Sequence, residues 1–239
     1  MLIEALRSLA GGGGLSLAGL LMQLLAVACI VFFVTPLHEL AHGFVAYKLG
    51  DPTAKQCGRL TLNPLASLDP VGALGILLFG IGWAKPVPVN PYYFRHPKRD
   101  MAITAIAGPV SNLIAAFVGA VFYLVLECVA RSLPSVQGAS YQVLSVLFTF
   151  FYFFVSINLS LAVFNLIPVP PLDGSRLVAA ALPDRIMYQY YRYERILVGV
   201  LFLILLSGAL DSFLWTIQNA LWDAVFFVAL LPFQALGLL

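Results

Sequence analysis

Charged side chains are scarce in this chain. Asp, Glu, Lys and Arg together make up 10% of its 239 residues, against 61% hydrophobic, and the mean hydropathy is +0.95. A soluble domain of this size needs far more charge to cover its surface, which excludes that class and leaves a polytopic membrane protein. A formal net charge of +2 offers nothing to a phosphate backbone, so no nucleic-acid partner is expected. The three cysteines, Cys29, Cys57 and Cys128, are widely spaced and form no CxxC pair. They read as small apolar fillers, and a disulfide framework or cysteine-bound zinc cluster is excluded. No cleavable signal peptide is expected, because residues 1–14 offer only Arg7 and a glycine run before a long apolar stretch.

What the chain does have is long apolar runs. Four are clear, at residues 15–49, 101–130, 141–166 and 213–231. A fifth, 196–210, is short for a span unless extended backward through 187–193. The fold class is therefore a polytopic α-helical membrane protein with about five transmembrane helices. Residues 50–100 break the pattern. Residues 58–63 alternate polar and apolar side chains and predict a short strand, and 85–90 (Lys-Pro-Val-Pro-Val-Asn) predicts extended chain because each Pro excludes the α region before it. Between them, residues 71–83 carry Gly72, Gly75, Gly80 and Gly82 and predict a re-entrant loop or embedded hairpin. A small membrane-associated β or re-entrant region thus follows the first span.

Histidine is scarcer still, with three in the whole protein, and two stand in His38-Glu-Leu-Ala-His42. Four residues apart on a helix, His38 and His42 project from one face. Two imidazoles so placed hold one zinc ion while Glu39 reaches a water beside it. HExxH also arises by chance on ordinary helices, but within an apolar span chance would leave Glu39 buried without a partner. Pro36, two residues earlier, predicts a kink that frees a carbonyl near the site.

A catalytic zinc takes three protein ligands and keeps one position open. The third His of the HExxHxxGxxH pattern is absent, since Lys48 and Val45 occupy the positions of that His and Gly. Asp51 and Asp69 lie in polar connections where a solvated side chain is expected. Asp173, in Asn165-Leu-Ile-Pro-Val-Pro-Pro-Leu-Asp-Gly174, is the stronger candidate, because Pro168, Pro170 and Pro171 unwind the chain and turn the acid into the bundle. Its other reading is a cap on a helix starting near Ser175. Ala107-Gly-Pro-Val-Ser-Asn112 adds polar groups within a span, with Gly108 allowing close helix approach. Asn112 suits a donor to substrate, a partner for a freed carbonyl, or a helix-packing residue, and its residue type leaves these open.

HELAH, GPVSN and NLIPVPPLDG, in that order in successive apolar segments, resemble the site-2 proteases, which are zinc intramembrane metalloproteases. Gly58-Arg-Leu-Thr-Leu-Asn-Pro and Gly82-Trp-Ala-Lys-Pro-Val-Pro-Val-Asn-Pro91 are similar to the compact prokaryotic branch. The resemblance implies His38, His42 and Asp173 as ligands of one Zn2+ per chain, Glu39 as catalytic base, and Asn112 and Asn165 as support for site or substrate. It implies transmembrane protein substrates, cleaved within the bilayer. The whole chain, 1–239, reads as one membrane-embedded metalloprotease domain, a core over 15–182 with C-terminal helices over 187–239. Ser67 stands where compact relatives often carry His, and no segment suits a PDZ or CBS domain. Recruitment then falls to the membrane core, the re-entrant region, or a separate adaptor or regulatory protein, and membrane lipid is the other expected partner. A metal-ion transporter and a catalytically inactive membrane binding protein are the alternatives, and neither has a chemical need for Glu39.

Basic residues predict the orientation. Residues 48–99 carry seven Lys and Arg and 176–195 carry four, while Arg7 and Arg131 stand alone. Placing both basic connections in the cytosol puts the N-terminus outside, the C-terminus inside, and HELAH toward the cytosolic face of the cell membrane.

Overall fold

The computed structural model of the chain describes residues 21, 24–25, 28–72, 74, 84–133 and 138–239. A π-helical turn, Ile30–Val34, runs into helix α1, Thr35–Lys48. Pro36 lies in the first turn of α1 and has no N–H to return, and the Thr35 N–H reaches five residues back to the Ile30 carbonyl. The expected distortion before the histidines is therefore a widened turn.

Two single-turn helices follow, α2 Thr53–Gln56 and α3 Pro64–Ser67. Helix α4, Pro97–Ser132, is the longest element at 36 residues. It starts at a proline, and the Asp100 carboxylate accepts from the His96 N–H at 3.0 Å, closing its first turn. Then come α5 Ala139–Asn165, α6 Asp173–Ala181, α7 Asp184–Arg192, α8 Glu194–Leu206 and α9 Asp211–Ala235.

The architecture is helical, and among the described residues four helical stretches are long and apolar enough to cross a membrane: Ile30–Lys48, Pro97–Ser132, Ser140–Asn165 and Asp211–Ala235. They overlap the four clear apolar runs, the first of which lies partly outside the described residues. The fifth expected span is not among them. Its backward extension does not join it, because the chain breaks at Tyr193 between α7 and α8, and α8 is 13 residues long. At 1.5 Å per residue that is about 20 Å, short of the roughly 30 Å hydrocarbon layer.

The strand expected at 58–63 is also corrected: the segment is turn and bend, and the described residues contain no strand. Alternation needs a partner ladder. Here Asn63 instead caps α3, its Oδ1 accepting the Leu65 N–H at 3.1 Å. Residues 84–90 form no ladder either. The re-entrant expectation for 71–83 falls mostly outside the described residues.

Helix α4 is the scaffold, packing on α1, α5, α6 and α9. Its far half builds an apolar core, with Ala116, Ala120 and Leu124 against Val155 and Leu159 of α5 and Ala229 and Phe233 of α9. Gly119 admits α5 here, since a Cβ on it would lie 2.7 Å from Phe154 Cδ1. Its near half buries Asp100, Thr104, Ser111 and Asn112.

Candidate metal centre

Helix α1 presents His38 and His42 one turn apart, both buried. Their Nε2 atoms stand 3.0 Å apart. The Nδ1–H of His42 donates to the Thr104 carbonyl of α4 at 2.8 Å, which leaves its Nε2 with a lone pair facing His38.

Asp173 opens α6 after the proline-rich turn, and its Oδ2 lies 3.2 Å from His38 Nε2 and 3.1 Å from His42 Nε2. The capping alternative does not describe it: Leu172 holds the cap position and no side chain caps that helix. Gly174 permits this placement, because a Cβ there would run into the carbonyls of Leu166 and Ile167 at the end of α5.

Two nitrogen lone pairs and a carboxylate oxygen converging at 3.0–3.2 Å repel one another unless a cation joins them. A tetrahedral zinc with bonds of about 2.0–2.1 Å spaces its donors about 3.3 Å apart, close to this triangle. The donor set, imidazoles with a carboxylate, also suits zinc. Among the described residues, this trio is the group of His, Cys, Asp and Glu whose donor atoms close in on one point. Gly108 of α4 lines the same spot, and a Cβ on it would collide with Nε2 of both histidines. The close helix approach read from sequence at Gly108 is made to α1, at the histidines themselves.

Beside the triangle opens a cavity of about 410 Å³, bounded by Glu39, Asn112, Asn165, Val87 and Arg176 among others. Glu39 accepts the Val87 backbone N–H at 2.8 Å. Asn112 is 1% exposed, and neither its Oδ1 nor its Nδ2 has a hydrogen-bond partner. Buried side-chain amides are ordinarily hydrogen-bonded, so this one is an exception in the cavity wall. Asn165 donates from Nδ2 to the Leu161 carbonyl one turn back, at 2.9 Å, and also faces the cavity. Ser67 is buried in the wall.

The other acids have separate duties. Asp51 was expected to be solvated but is 0% exposed, accepting from Thr53 N at 2.9 Å, Thr53 Oγ1 at 2.5 Å and Asn90 N at 2.7 Å. Asp69 accepts from the Val71 and Gly72 N–H groups at 3.0 and 2.8 Å. Glu127 pairs with Arg131, and Asp223 is exposed on α9. Sequence reasoning missed Val87 and Thr104, whose contributions are backbone groups that no side-chain pattern advertises. It also missed Arg176, which an i, i+3 step from Asp173 would have pointed to.

Known proteins resemble this chain in sequence. The family described as Peptidase family M50 matches residues 24–207. A Bacillus subtilis protein named "Putative zinc metalloprotease YwhC" is 42% identical over 207 residues, covering 86% of this chain and 90% of its own length. Two others bear the same descriptor. Rip2 of Mycobacterium tuberculosis is 32% identical over 177 residues, 68% of this chain and 62% of Rip2. MJ0611 of Methanocaldococcus jannaschii is 30% identical over 141 residues, 59% of this chain and 62% of its own length. No solved structure matches.

Proposed function

Because this chain belongs to peptidase family M50, we propose that it is a zinc metalloprotease that hydrolyses peptide bonds of transmembrane proteins within the bilayer. The observation that carries the reading is the triangle of His38 Nε2, His42 Nε2 and Asp173 Oδ2, buried between apolar helices and open on one side to a cavity. In this reading those three residues hold one zinc ion. Bound zinc supplies Lewis acidity, which brings the ionisation of water within reach near pH 7.

The protein's own groups do the rest. Glu39 takes the proton of the attacking water and delivers it to the leaving amide nitrogen. Asn112, its amide unpaired at the cavity wall, donates to the substrate carbonyl oxygen as charge builds on it. Asn165 lines the same wall and helps hold the unwound substrate. Unwinding is required, because a helix keeps its amides in hydrogen bonds and behind side chains.

The test compares Glu39→Gln with Asp173→Ala in the full chain, reconstituted with synthetic single-span peptides whose products are read by mass spectrometry. Glu39→Gln should keep about one zinc per chain while cleavage falls by about three orders of magnitude. Asp173→Ala should lose both zinc and cleavage. Full zinc affinity in Asp173→Ala would remove it from the ligand set, and brisk cleavage by Glu39→Gln would move the base elsewhere. A metal carrier would tolerate Gln at 39.

We place the basic connections, the active site and the C-terminus on the cytosolic side of the cell membrane, with the N-terminus outside, which requires α8 to cross as a short fifth span. The support is the clustering of Lys and Arg in 48–99 and 176–195. Impermeant thiol labelling from outside should reach a cysteine introduced at Ser135 but not at Arg95 or Asp184. Outside labelling at Arg95 would reverse the orientation, and an outside C-terminus would remove α8 from the spans.

A further inference from the structure

The segment 85–90 was read from sequence as extended chain, and an extended chain commonly offers an edge to a partner strand. Its hydrogen bonds indicate another use. Pro86 and Pro88 have no N–H. The Lys85 N–H goes to the Ser67 carbonyl at 3.0 Å, and the Asn90 N–H goes to Asp51 Oδ2 at 2.7 Å. The Val87 N–H goes to Glu39 at 2.8 Å. Few donors remain for an incoming strand, whereas the one N–H between the two prolines meets the carboxylate beside the metal triangle.

We propose that the Val87 backbone N–H is the positioning donor for Glu39, and that residues 85–90 form a strap whose task is to present it. The inference rests on the reading of Glu39 as base. Three features support a positioning role. The strap is anchored at both ends, by Arg59 Nη2 donating to the Lys85 carbonyl at 2.6 Å and by the wholly buried Asp51 at Asn90. Prolines on both sides of Val87 restrict its backbone, so the N–H is held in direction as well as place. The strap also sits directly on α1: Val87 is 6% exposed, and a Cβ built on Gly43, the residue after His42, would come 3.1 Å from Val87 Cγ1.

The consequence lies in the two carboxylate oxygens. Oε2 takes the Val87 bond, which fixes the rotation of the group and leaves Oε1 to meet water and substrate. Without that bond the carboxylate is free to swing about its side-chain torsions, and a misplaced base loses rate while metal binding stays intact.

The direct test is to replace Val87 with its α-hydroxy acid counterpart during synthesis of the full chain, exchanging the N–H for an oxygen and nothing else. A peptide that the unmodified enzyme cleaves serves as probe. We expect kcat to fall roughly 10- to 100-fold while zinc content stays at about one per chain. Val87→Pro, the genetically simple way to remove the same N–H, should reproduce the loss. A second readout does not depend on turnover. In protein labelled with 15N-valine, the resonance missing from the hydroxy-acid variant identifies the Val87 amide. That proton should move upfield and exchange faster with solvent in Glu39→Ala.

A kcat within about twofold of the unmodified enzyme would overturn the proposal. Increased kcat would also overturn it, by making the contact a lock on the base. Loss of zinc along with activity would reduce the strap to structural support, and a Val87 amide indifferent to Glu39→Ala would mean that no such bond exists in the membrane. If the unmodified enzyme cleaves no peptide at all, the proposed function fails, while the amide measurement still decides the strap.

Discussion

The two halves of α4 bury one winding ridge of residues, spaced four apart, for opposite purposes. The near half turns Asp100, Thr104, Gly108 and Asn112 inward, four residues apart each time, beneath the histidines of α1. The far half continues the same line with Ala116, Ala120 and Leu124 against α5 and α9. Polar groups in an apolar medium are tolerated where each has a partner or a ligand, and small apolar ones where backbones pack close. The helix therefore separates chemistry from packing along its length, and changes at its two ends should have different signatures.

The sharpest way to break that separation is Gly108→Ala. One methyl group should lower zinc content and reduce cleavage by about 100-fold or more, because it would occupy the place of the imidazole nitrogens. Normal zinc binding in this variant, measured by metal analysis of purified protein, would show that α4 yields at this point and that the triangle is less confined than its geometry indicates. At the packing end, Leu159→Ala should do the reverse. Truncating this fully buried side chain should destabilise by about 2–4 kcal/mol in thermal or denaturant unfolding, with zinc affinity unchanged. A parallel loss of zinc would mean that the two halves are one cooperative unit. The smallest effect is expected from Thr104→Ala. The group that orients His42 is the Thr104 carbonyl, which survives the change, and the hydroxyl only returns to the Asp100 carbonyl at 2.8 Å. We expect about 1 kcal/mol in stability and a zinc affinity within about threefold of the original. A larger change would make the hydroxyl, rather than the carbonyl, the feature that matters.

How much of this was legible in the sequence depended on which physical signal was involved. His38 and His42 were readable because a helix has a fixed period, and Asp173 because its prolines end one helix and begin another near the same depth. The four apolar runs are helical where they are described because length and hydropathy alone set that outcome in a membrane. Residues 58–63 misled because alternation describes a strand only when a second strand lies alongside, and Asn63-Pro64 instead starts a helix. Asp51 misled for a related reason: its polar neighbourhood looks solvated in one dimension, yet Asn90, distant in sequence, folds back to close over it. The span extended through 187–193 assumed continuity, and Tyr193 breaks it. Contacts made by backbone groups across long sequence separations, such as Val87 to Glu39, leave no trace in residue types.

The π-helical turn at Ile30–Val34 sets a phase. An α-helix advances about 100° per residue, so one residue more than the α count makes everything upstream point a quarter-turn or so away from where a regular helix would aim it. The histidines and the stretch that leads to them are thus two gears on one shaft, offset by a single tooth. Removing one residue between Ile30 and Val34 would mesh them in plain α register. Either the side that residues 28 and 29 present or the metal-facing side of His38 and His42 would then have to turn, because one regular helix cannot hold both bearings.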